Sequence, residues 1–442
     1  MHNKPLTADE LKIRHLGEPT VESPLDLPAA SLEATGSFVA PGTGIRVSVE
    51  VDAAGQALDP LVFEKAGPRK RLFFDTRRVR AAIVTCGGLC PGTNNVIRSV
   101  FYELYHRYGV RKIYGIRYGF QGLNPEEGQP PIAMTSDFVR RIQLFGGTVL
   151  GSSRGAQSSS VMADFLAERD IDMLFCVGGD GTQRGAHELS RELVARGQTC
   201  AVVGIPKTID NDIPFVWRSF GFFTALDQAR EVIQGAHVEA NGAPNGIGLV
   251  KVMGRDAGFI AAGATLASQE VNFTLVPEIP FDLDGPKGFL AALEARIRAR
   301  RHAVVVVAEG AGQHLFESAG EVERDASGNR KHRDIGLLLR ERILKHFAER
   351  ELPVAVKYFD PSYAIRSVPA NTDDSLLCDG LARNAVHAAM AGKTDMLVGF
   401  WHGVFINVPI PAVVSRKKTM APDGGLWMGV LENTGQPARF GE

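Results

Sequence analysis

The sequence predicts an α/β protein: two Rossmann-like three-layer αβα domains with mainly parallel sheets. Three observations carry that expectation. From Val79 to about residue 410, short β-branched apolar runs end in glycine and give way to amphipathic stretches, the alternation that places parallel strands beneath covering helices. At roughly 150 residues per domain, 442 residues suggest two domains plus an appendage. Glycine supplies 48 of those residues, above the usual ~7% and without a collagen-like period. The excess glycines are therefore expected at demanding backbone positions such as strand-to-helix turns.

Residues 1–75 are polar and dotted with proline, and read as an N-terminal extension in which 38–51 could pair as short strands. The first αβ unit opens with VRAAIVTCGG (79–88), followed by a helix from Thr93 whose apolar face holds Val96, Ile97, Val100 and Leu104 and which Gly109 closes. A strand at 110–118 comes next. Ser160 is placed to cap a helix bearing Val161, Phe165 and Leu166, and the buried strand IDMLFCV (171–177) runs into GGDGT. A helix carrying Ala186, Leu189, Leu193 and Val194 ends at Gly197, and AVVGIP (201–206) is the following strand. In the helix expected over 222–240, Phe222, Leu226, Ala229, Ile233 and Ala236 fall on one face. A second series follows: strand 246–254, a helix over 259–266, strand 273–278, a helix from Pro286, and strand 302–310. The charged, glycine-dotted segment 311–333 reads as an exposed loop or hairpin. Helix 335–347, strand 353–359, helix 372–390 and strands within 396–410 complete the series.

With 49 basic and 50 acidic side chains the formal charge is -1, which argues against non-specific nucleic-acid binding. The N-terminus lacks the apolar core of a signal peptide, and no apolar run approaches the ~18 residues of a membrane span. A cytoplasmic protein with no membrane partner is expected. The five cysteines are odd in number and have no paired C-x-x-C spacing, which fits buried thiols in a reducing compartment. Cys86 and Cys90 could chelate a metal or form a redox pair, yet no second ligand pair accompanies them.

Three segments at strand ends carry the chemistry, where open α/β sheets place their ligands. In CGGLCPGTNN (86–95), glycines let the backbone approach a phosphate and the next helix offers free N–H groups. In Gly178-Gly179-Asp180-Gly181-Thr182 a carboxylate lies between glycines, placed to hold Mg²⁺ against a polyphosphate. The third, Pro206-Lys207-Thr208-Ile209-Asp210-Asn211-Asp212, gathers two carboxylates, a hydroxyl and a cation within seven residues. Ordinary turns would explain the first two segments in isolation, but hardly the third.

GGLCPGTNNVIR, GGDGT, PKTIDND, VMGR, the Ala308-Glu309-Gly310 strand end and DPSYAIR (360–366) occur in the order found in phosphofructokinases, and the chain resembles that family from about 83 to 410. The resemblance implies an ATP-dependent 6-phosphofructokinase of glycolysis with its active site in the cleft between the domains. It assigns 76–221, completed by 367–410, to the nucleotide, 222–366 to fructose 6-phosphate, and leaves 411–442 as a tail. Asp210 is implied as the base for the C1 hydroxyl and Thr208 as a contact to the transferring phosphoryl group. Asp180 is implied as the Mg²⁺ ligand, with Gly88, Arg154, Gly155, Gly179, Asp180, Gly181 and Thr182 around the nucleotide phosphates. Thr208, Ile209, Asp210, Met253, Gly254, Arg255, Glu309, Lys357, Tyr363 and Arg366 are implied around the sugar phosphate. Arg154 and Arg255, with Mg²⁺, would offset the charge that spreads in phosphoryl transfer. A homodimer or homotetramer is expected. Short bacterial forms have Asp at the position of Leu89, His at that of Tyr363, and arginines from an adjoining subunit where this chain has Gly246 and Lys357. Asn245 and Lys357 are candidates for that last task.

GGLCPG and PKTIDND resemble the long clade, which contains both pyrophosphate-dependent and ATP-dependent enzymes. Pyrophosphate-dependent relatives carry Asp at the position of Gly181, where its carboxylate would meet the ATP α-phosphate. Like charges ~4 Å apart at an effective dielectric of ~20 repel by ~4 kcal/mol, about a thousandfold in affinity. Gly181 removes that repulsion and favours ATP, whereas Lys207 is the residue with which pyrophosphate enzymes grip their donor. The pyrophosphate-dependent reaction is the alternative. An NAD or lipid kinase would account for GGDGT but not for Tyr363, Arg366 or the MGR segment. A catalytically dead regulatory subunit would be expected to have lost Asp210 or Asp180.

Overall fold

A computed structural model describes residues 6–28, 37–316 and 331–441. It divides the chain into two compact units. The first comprises Met1–Thr208, Ile213–Gly221 and Pro369–Lys417, and the second Ile209–Asp212, Phe222–Val368 and Lys418–Glu442. Residues 411–442, set apart by the sequence reading as a tail, are thus divided after Lys417, and Ile209–Asp212 group with the second unit.

Among the described residues, the first unit carries a nine-stranded sheet. From one edge its order is Gly44–Arg46, Val62–Lys65, Val404–Pro409, Met396–Trp401, Ala201–Pro206, Met173–Gly178, Arg80–Thr85, Lys112–Ile116 and Ile132–Ala133. The five strands from Met396–Trp401 to Lys112–Ile116 are mutually parallel, and the outer strands pair antiparallel. Met173–Gly178 and Ala201–Pro206 are buried along their whole length, as continuous apolar runs covered on both faces should be. Part of the N-terminal extension completes this sheet: Gly44–Arg46 and Val62–Lys65 pair with each other and then with Val404–Pro409.

Among the described residues, the second unit holds a four-stranded, wholly parallel sheet in the order Phe273–Leu275, His302–Ala308, Gly246–Val252, Ala355–Phe359. Helices Phe289–Arg300 and Ile335–Ala348 supply Leu293, Ile297, Leu339, Ile343 and Phe347 to the core it shares with Leu249, Val305 and Val307. Each such side chain contributes about 1.5–3 kcal/mol relative to exposure.

Several boundaries differ from the expected ones for local reasons. The helix from Thr93 ends at Tyr102 and passes into a π turn, Glu103–Arg107, that keeps Leu104 buried. Ser158, not Ser160, occupies the cap of helix Ser159–Glu168, and the Ser160 hydroxyl instead accepts a hydrogen bond from Arg196 at 2.7 Å. The strand at Phe273 stops at Leu275 before Pro277. The helix expected from Pro286 starts at Phe289, after an extended Gly288. Most of segment 311–333 lies outside the described residues. All five cysteines are buried, free thiols.

Candidate active site

In the first unit the strand ends bring together through the backbone several of the residues expected around the nucleotide phosphates. Gly87, with φ 83°, donates its N–H to the Ser153 carbonyl at 3.0 Å, and its own carbonyl accepts from the Ser152 hydroxyl at 2.6 Å. Gly88 is thereby held beside the loop that carries Arg154 and Gly155. Arg154 is exposed, and Gly155 has φ 117°. From the neighbouring strand, Lys207 donates its N–H to the Gly178 carbonyl at 3.0 Å, while its ammonium donates to the Gly88 carbonyl. Lys207 is only 5% exposed.

Gly179 precedes helix Asp180–Ala195 in an extended conformation, so the helix N-terminus opens on Asp180 and Gly181. A Cβ built on Gly181 would meet nothing within 4 Å, whereas one on Gly178 would collide with the Thr182 side chain. Thr182 is buried. Asp180 is half-exposed and paired with Arg184 one helical turn on, at 3.0 and 3.4 Å. Sequence reasoning missed Arg184, although its i,i+4 spacing from Asp180 was a readable signal. Among the described residues no group of three or more His, Cys, Asp or Glu side chains could hold a metal alone, which leaves the Cys86–Cys90 alternative without a ligand set.

Thr208 lies two residues beyond strand Ala201–Pro206, with its carbonyl accepting from the Ser219 hydroxyl at 2.7 Å. Ile209, next along the chain and in the second unit, is 4% exposed, so it presents backbone rather than side chain. Asp210 follows, with its Oδ1 out of contact with solvent. Burial pushes its carboxyl well above the ordinary carboxylate range, and neighbouring Asp212 and Glu309 add to that, against the opposing pull of Arg366 and Arg255. Such a carboxyl holds a proton more tightly than a surface aspartate does, as a base matched to neutral pH requires.

At the end of strand Gly246–Val252 the chain reverses after Met253, through Gly254 (φ 135°) and Arg255 (φ 40°). The Arg255 N–H donates to the Glu309 carboxylate at 3.0 Å, and Glu309 in turn donates its own N–H to the Val252 carbonyl at 2.9 Å. The Arg255 carbonyl approaches Gly310 so closely that no Cβ would fit there. In the turn 360–366 the Arg366 guanidinium lies 4.9 Å from the centre of the Tyr363 ring, and Tyr363 is 74% exposed.

Lys357 and Asn245 do not join this group within their own chain. Lys357 is exposed in the middle of Ala355–Phe359, opposite Gly248, with its ammonium 3.8 Å from Glu239. Asn245 precedes the amino end of strand Gly246–Val252, and its amide donates to the Pro353 carbonyl at 2.9 Å. At ~3.3 Å per residue that is roughly 26 Å from Met253, where the chain leaves the same strand.

The phosphofructokinase family model matches residues 80–389. The chain belongs to the phosphofructokinase family. Two bacterial relatives named ATP-dependent 6-phosphofructokinase are similar to it nearly end to end. That of Borreliella burgdorferi is 48% identical over 97% of each chain, and that of Amycolatopsis methanolica is 47% identical over 99% of this chain and 97% of its own. ATP-dependent 6-phosphofructokinase 7 of Arabidopsis thaliana is 44% identical over 86% of this chain and 78% of its own. Among solved structures, the pyrophosphate-dependent phosphofructokinase of Marinobacter aquaeolei has a TM-score of 0.67 at 21% identity, covering 82% of this chain and 93% of that one. At that identity the likeness is one of fold: the mainly parallel two-domain αβ architecture expected from the sequence is the phosphofructokinase fold.

Proposed function

We propose that the chain is an ATP-dependent 6-phosphofructokinase, which transfers the γ-phosphoryl group of ATP to the C1 hydroxyl of fructose 6-phosphate. The observation that carries this reading is Asp210, a desolvated carboxyl of raised proton affinity facing Arg255 and Arg366, in a chain whose relatives over nearly its full length bear that name. Asp210 takes the C1 proton as the C1 oxygen attacks the γ-phosphorus. The bond from that phosphorus to the β,γ-bridging oxygen breaks, ADP leaves, and the proton passes from Asp210 to solvent. Thr208 and Arg154 act on the phosphoryl side, and the guanidinium of Arg255 offsets charge on the acceptor side. Met253, Gly254, Glu309, Tyr363 and Arg366 receive the sugar phosphate, and the loops of Gly88, Gly155 and Gly179–Thr182 receive the nucleotide.

Asp180 fits the Mg²⁺ role in donor chemistry: one hard carboxylate beside a helix N-terminus suits an ion that completes its shell with water and phosphate oxygens. When bound, Mg²⁺ neutralises charge on the phosphates. Binding it requires Asp180 to share or release Arg184.

ATP is favoured as donor by the open surroundings of Gly181. Lys207, whose ammonium donates to the Gly88 carbonyl, is the residue that speaks for pyrophosphate. A homodimer or homotetramer in the cytoplasm, with Lys357 and Asn245 serving an adjoining subunit, completes the reading. The test is the initial rate of fructose 1,6-bisphosphate formation with ATP or pyrophosphate at matched concentrations. ATP-only activity is expected. Pyrophosphate-only activity would make Lys207 the deciding residue, and silence with both donors would remove the proposal.

A further inference from the structure

Within the second unit, three chain segments that carry the acceptor-side residues meet at one buried cation. Lys251, 9% exposed, lies at the end of strand Gly246–Val252, two residues before Met253. Its ammonium donates to Asp334 Oδ2 at 2.7 Å and pairs with Asp360 Oδ2 at 2.9 Å.

Each partner leads to a different part of the site. Asp334 caps helix Ile335–Ala348, its Oδ1 accepting from the Leu337 N–H at 3.1 Å and from the Tyr358 hydroxyl at 3.2 Å. Its neighbour Arg333 exchanges hydrogen bonds with the Gln313 side chain, whose amide also donates to the Glu309 carbonyl at 3.0 Å. Asp360 opens the turn bearing Tyr363 and Arg366, and its Oδ1 accepts the Ser362 N–H at 3.2 Å. The strand register makes the meeting possible: Val250 pairs with Phe359, so Lys251 and Asp360 follow one step later on adjacent chains. Close packing confirms that the cluster is built in, because a Cβ on Gly336 would come within 2.5 Å of the Tyr358 hydroxyl. Although burial works against its charge, the hydrogen bonds to Asp334 and Asp360 raise the proton affinity of Lys251, and both carboxyls are held below their ordinary range.

We infer that Lys251 is a positioning residue of the acceptor site: by pinning Asp334 and Asp360 to the end of strand Gly246–Val252, it fixes the backbone that presents Arg255, Glu309, Tyr363 and Arg366 to the sugar phosphate. The inference rests on the function proposed above. Removing the cation leaves two carboxylates facing each other in a partly desolvated space, which drives their segments apart. None of these groups belongs to the donor-side loops, so the damage falls on one substrate.

The test combines steady-state kinetics with calorimetric binding of fructose 6-phosphate to the full chain. Lys251→Met, which keeps the volume, should raise the KM and Kd for fructose 6-phosphate at least about tenfold while the KM for ATP and kcat stay within about threefold. Lys251→Arg, able to bridge both carboxylates, should restore most of that affinity. Asp360→Asn, a milder change that serves if Lys251→Met does not fold, should raise the same KM, and its effect should be non-additive with that of Lys251→Met. Sugar-phosphate affinity within about twofold of wild type in the folded variants would overturn the inference, as would parallel losses in both KM values and kcat. A wild-type chain that binds no fructose 6-phosphate would instead overturn the functional reading beneath it.

Discussion

In the first unit the residues assigned to the nucleotide, apart from Arg154 and Asp180, are glycines and backbone groups at strand ends, joined by main-chain hydrogen bonds such as Gly87 to Ser153 and Lys207 to Gly178. In the second unit charged side chains steady the residues assigned to the sugar: the Glu309 carboxylate accepts from the Arg255 backbone N–H, and Lys251 pairs with Asp360 at the start of the turn that bears Tyr363 and Arg366. The difference follows the ligands. A polyphosphate is gripped well by fixed N–H dipoles that any phosphate would satisfy. Selecting one hydroxyl of one sugar, and taking its proton, needs side chains whose position and proton affinity are set individually. A donor side made of backbone changes specificity when a side chain is added, and an acceptor side made of side chains changes when one is removed.

The largest break in this contrast is removal of the base. Asp210→Asn should lower kcat by about 10²–10⁴-fold while fructose 6-phosphate binding changes little, and near-wild-type turnover would refute the assignment. In the wild type, activity should fall as acid protonates Asp210, at a pH above that of an ordinary aspartate because the carboxyl is raised. On the donor side, addition is the sharper probe. Gly181→Asp has room for its Cβ, and an acidic residue in the first turn suits the helix N-terminus, so the variant should fold normally. Its kcat/KM for ATP should drop by up to about a thousandfold, the ~4 kcal/mol of like-charge repulsion, with fructose 6-phosphate affinity retained. Unchanged ATP kinetics would remove the charge explanation of donor choice.

The same aspartate gives a stability test. Its folded-state proton affinity lies above the unfolded one, so the folded chain is penalised once the pH exceeds the unfolded value of about 3.9, and the penalty grows until the folded value is passed. Asp210→Asn should therefore melt higher than wild type at pH 8, by about 2–4 °C per kcal/mol relieved, with the gap closing toward pH 4. Equal melting temperatures at pH 8 would mean that the carboxylate is not under strain. The smallest effect belongs to Arg184. An exposed i,i+4 pair is worth about 0.3–0.5 kcal/mol, so Arg184→Ala should lower the Mg²⁺ concentration for half-maximal activity by about twofold.

The contrast also explains what could be read before any coordinates. Strand Ala201–Pro206 and helix Thr372–Met390 have the bounds their apolar patterns predict, and the donor-side glycines stand out because glycine is costly away from such turns. Charge organisation across the fold leaves no comparable mark. Lys251 reads as one polar residue in a strand, and its partner Asp334 is 83 residues away, so only the sheet register reveals the pair. Asn245 shows the converse: near in sequence to the acceptor residues, it precedes the amino end of a strand whose carboxyl end bears them, a separation that only the fold reveals. Arg184 was legible by spacing but lacked a reason to be singled out until the helix began at Asp180.

Among the described residues, strand Ala355–Phe359 ends the order of its sheet and pairs there only with Gly246–Val252. Such a strand is a template on which another chain can add by main-chain hydrogen bonding, and a charge in its middle is the usual guard against that. Lys357 occupies that middle position, exposed, whatever it also does for a sugar phosphate. Lys357→Val would join Ala355 and Val356 to Tyr358 and Phe359 in one uncharged β-forming segment, of the kind that seeds aggregation during folding. Colloidal behaviour on refolding, and not catalysis alone, therefore constrains the choice of residue at this site.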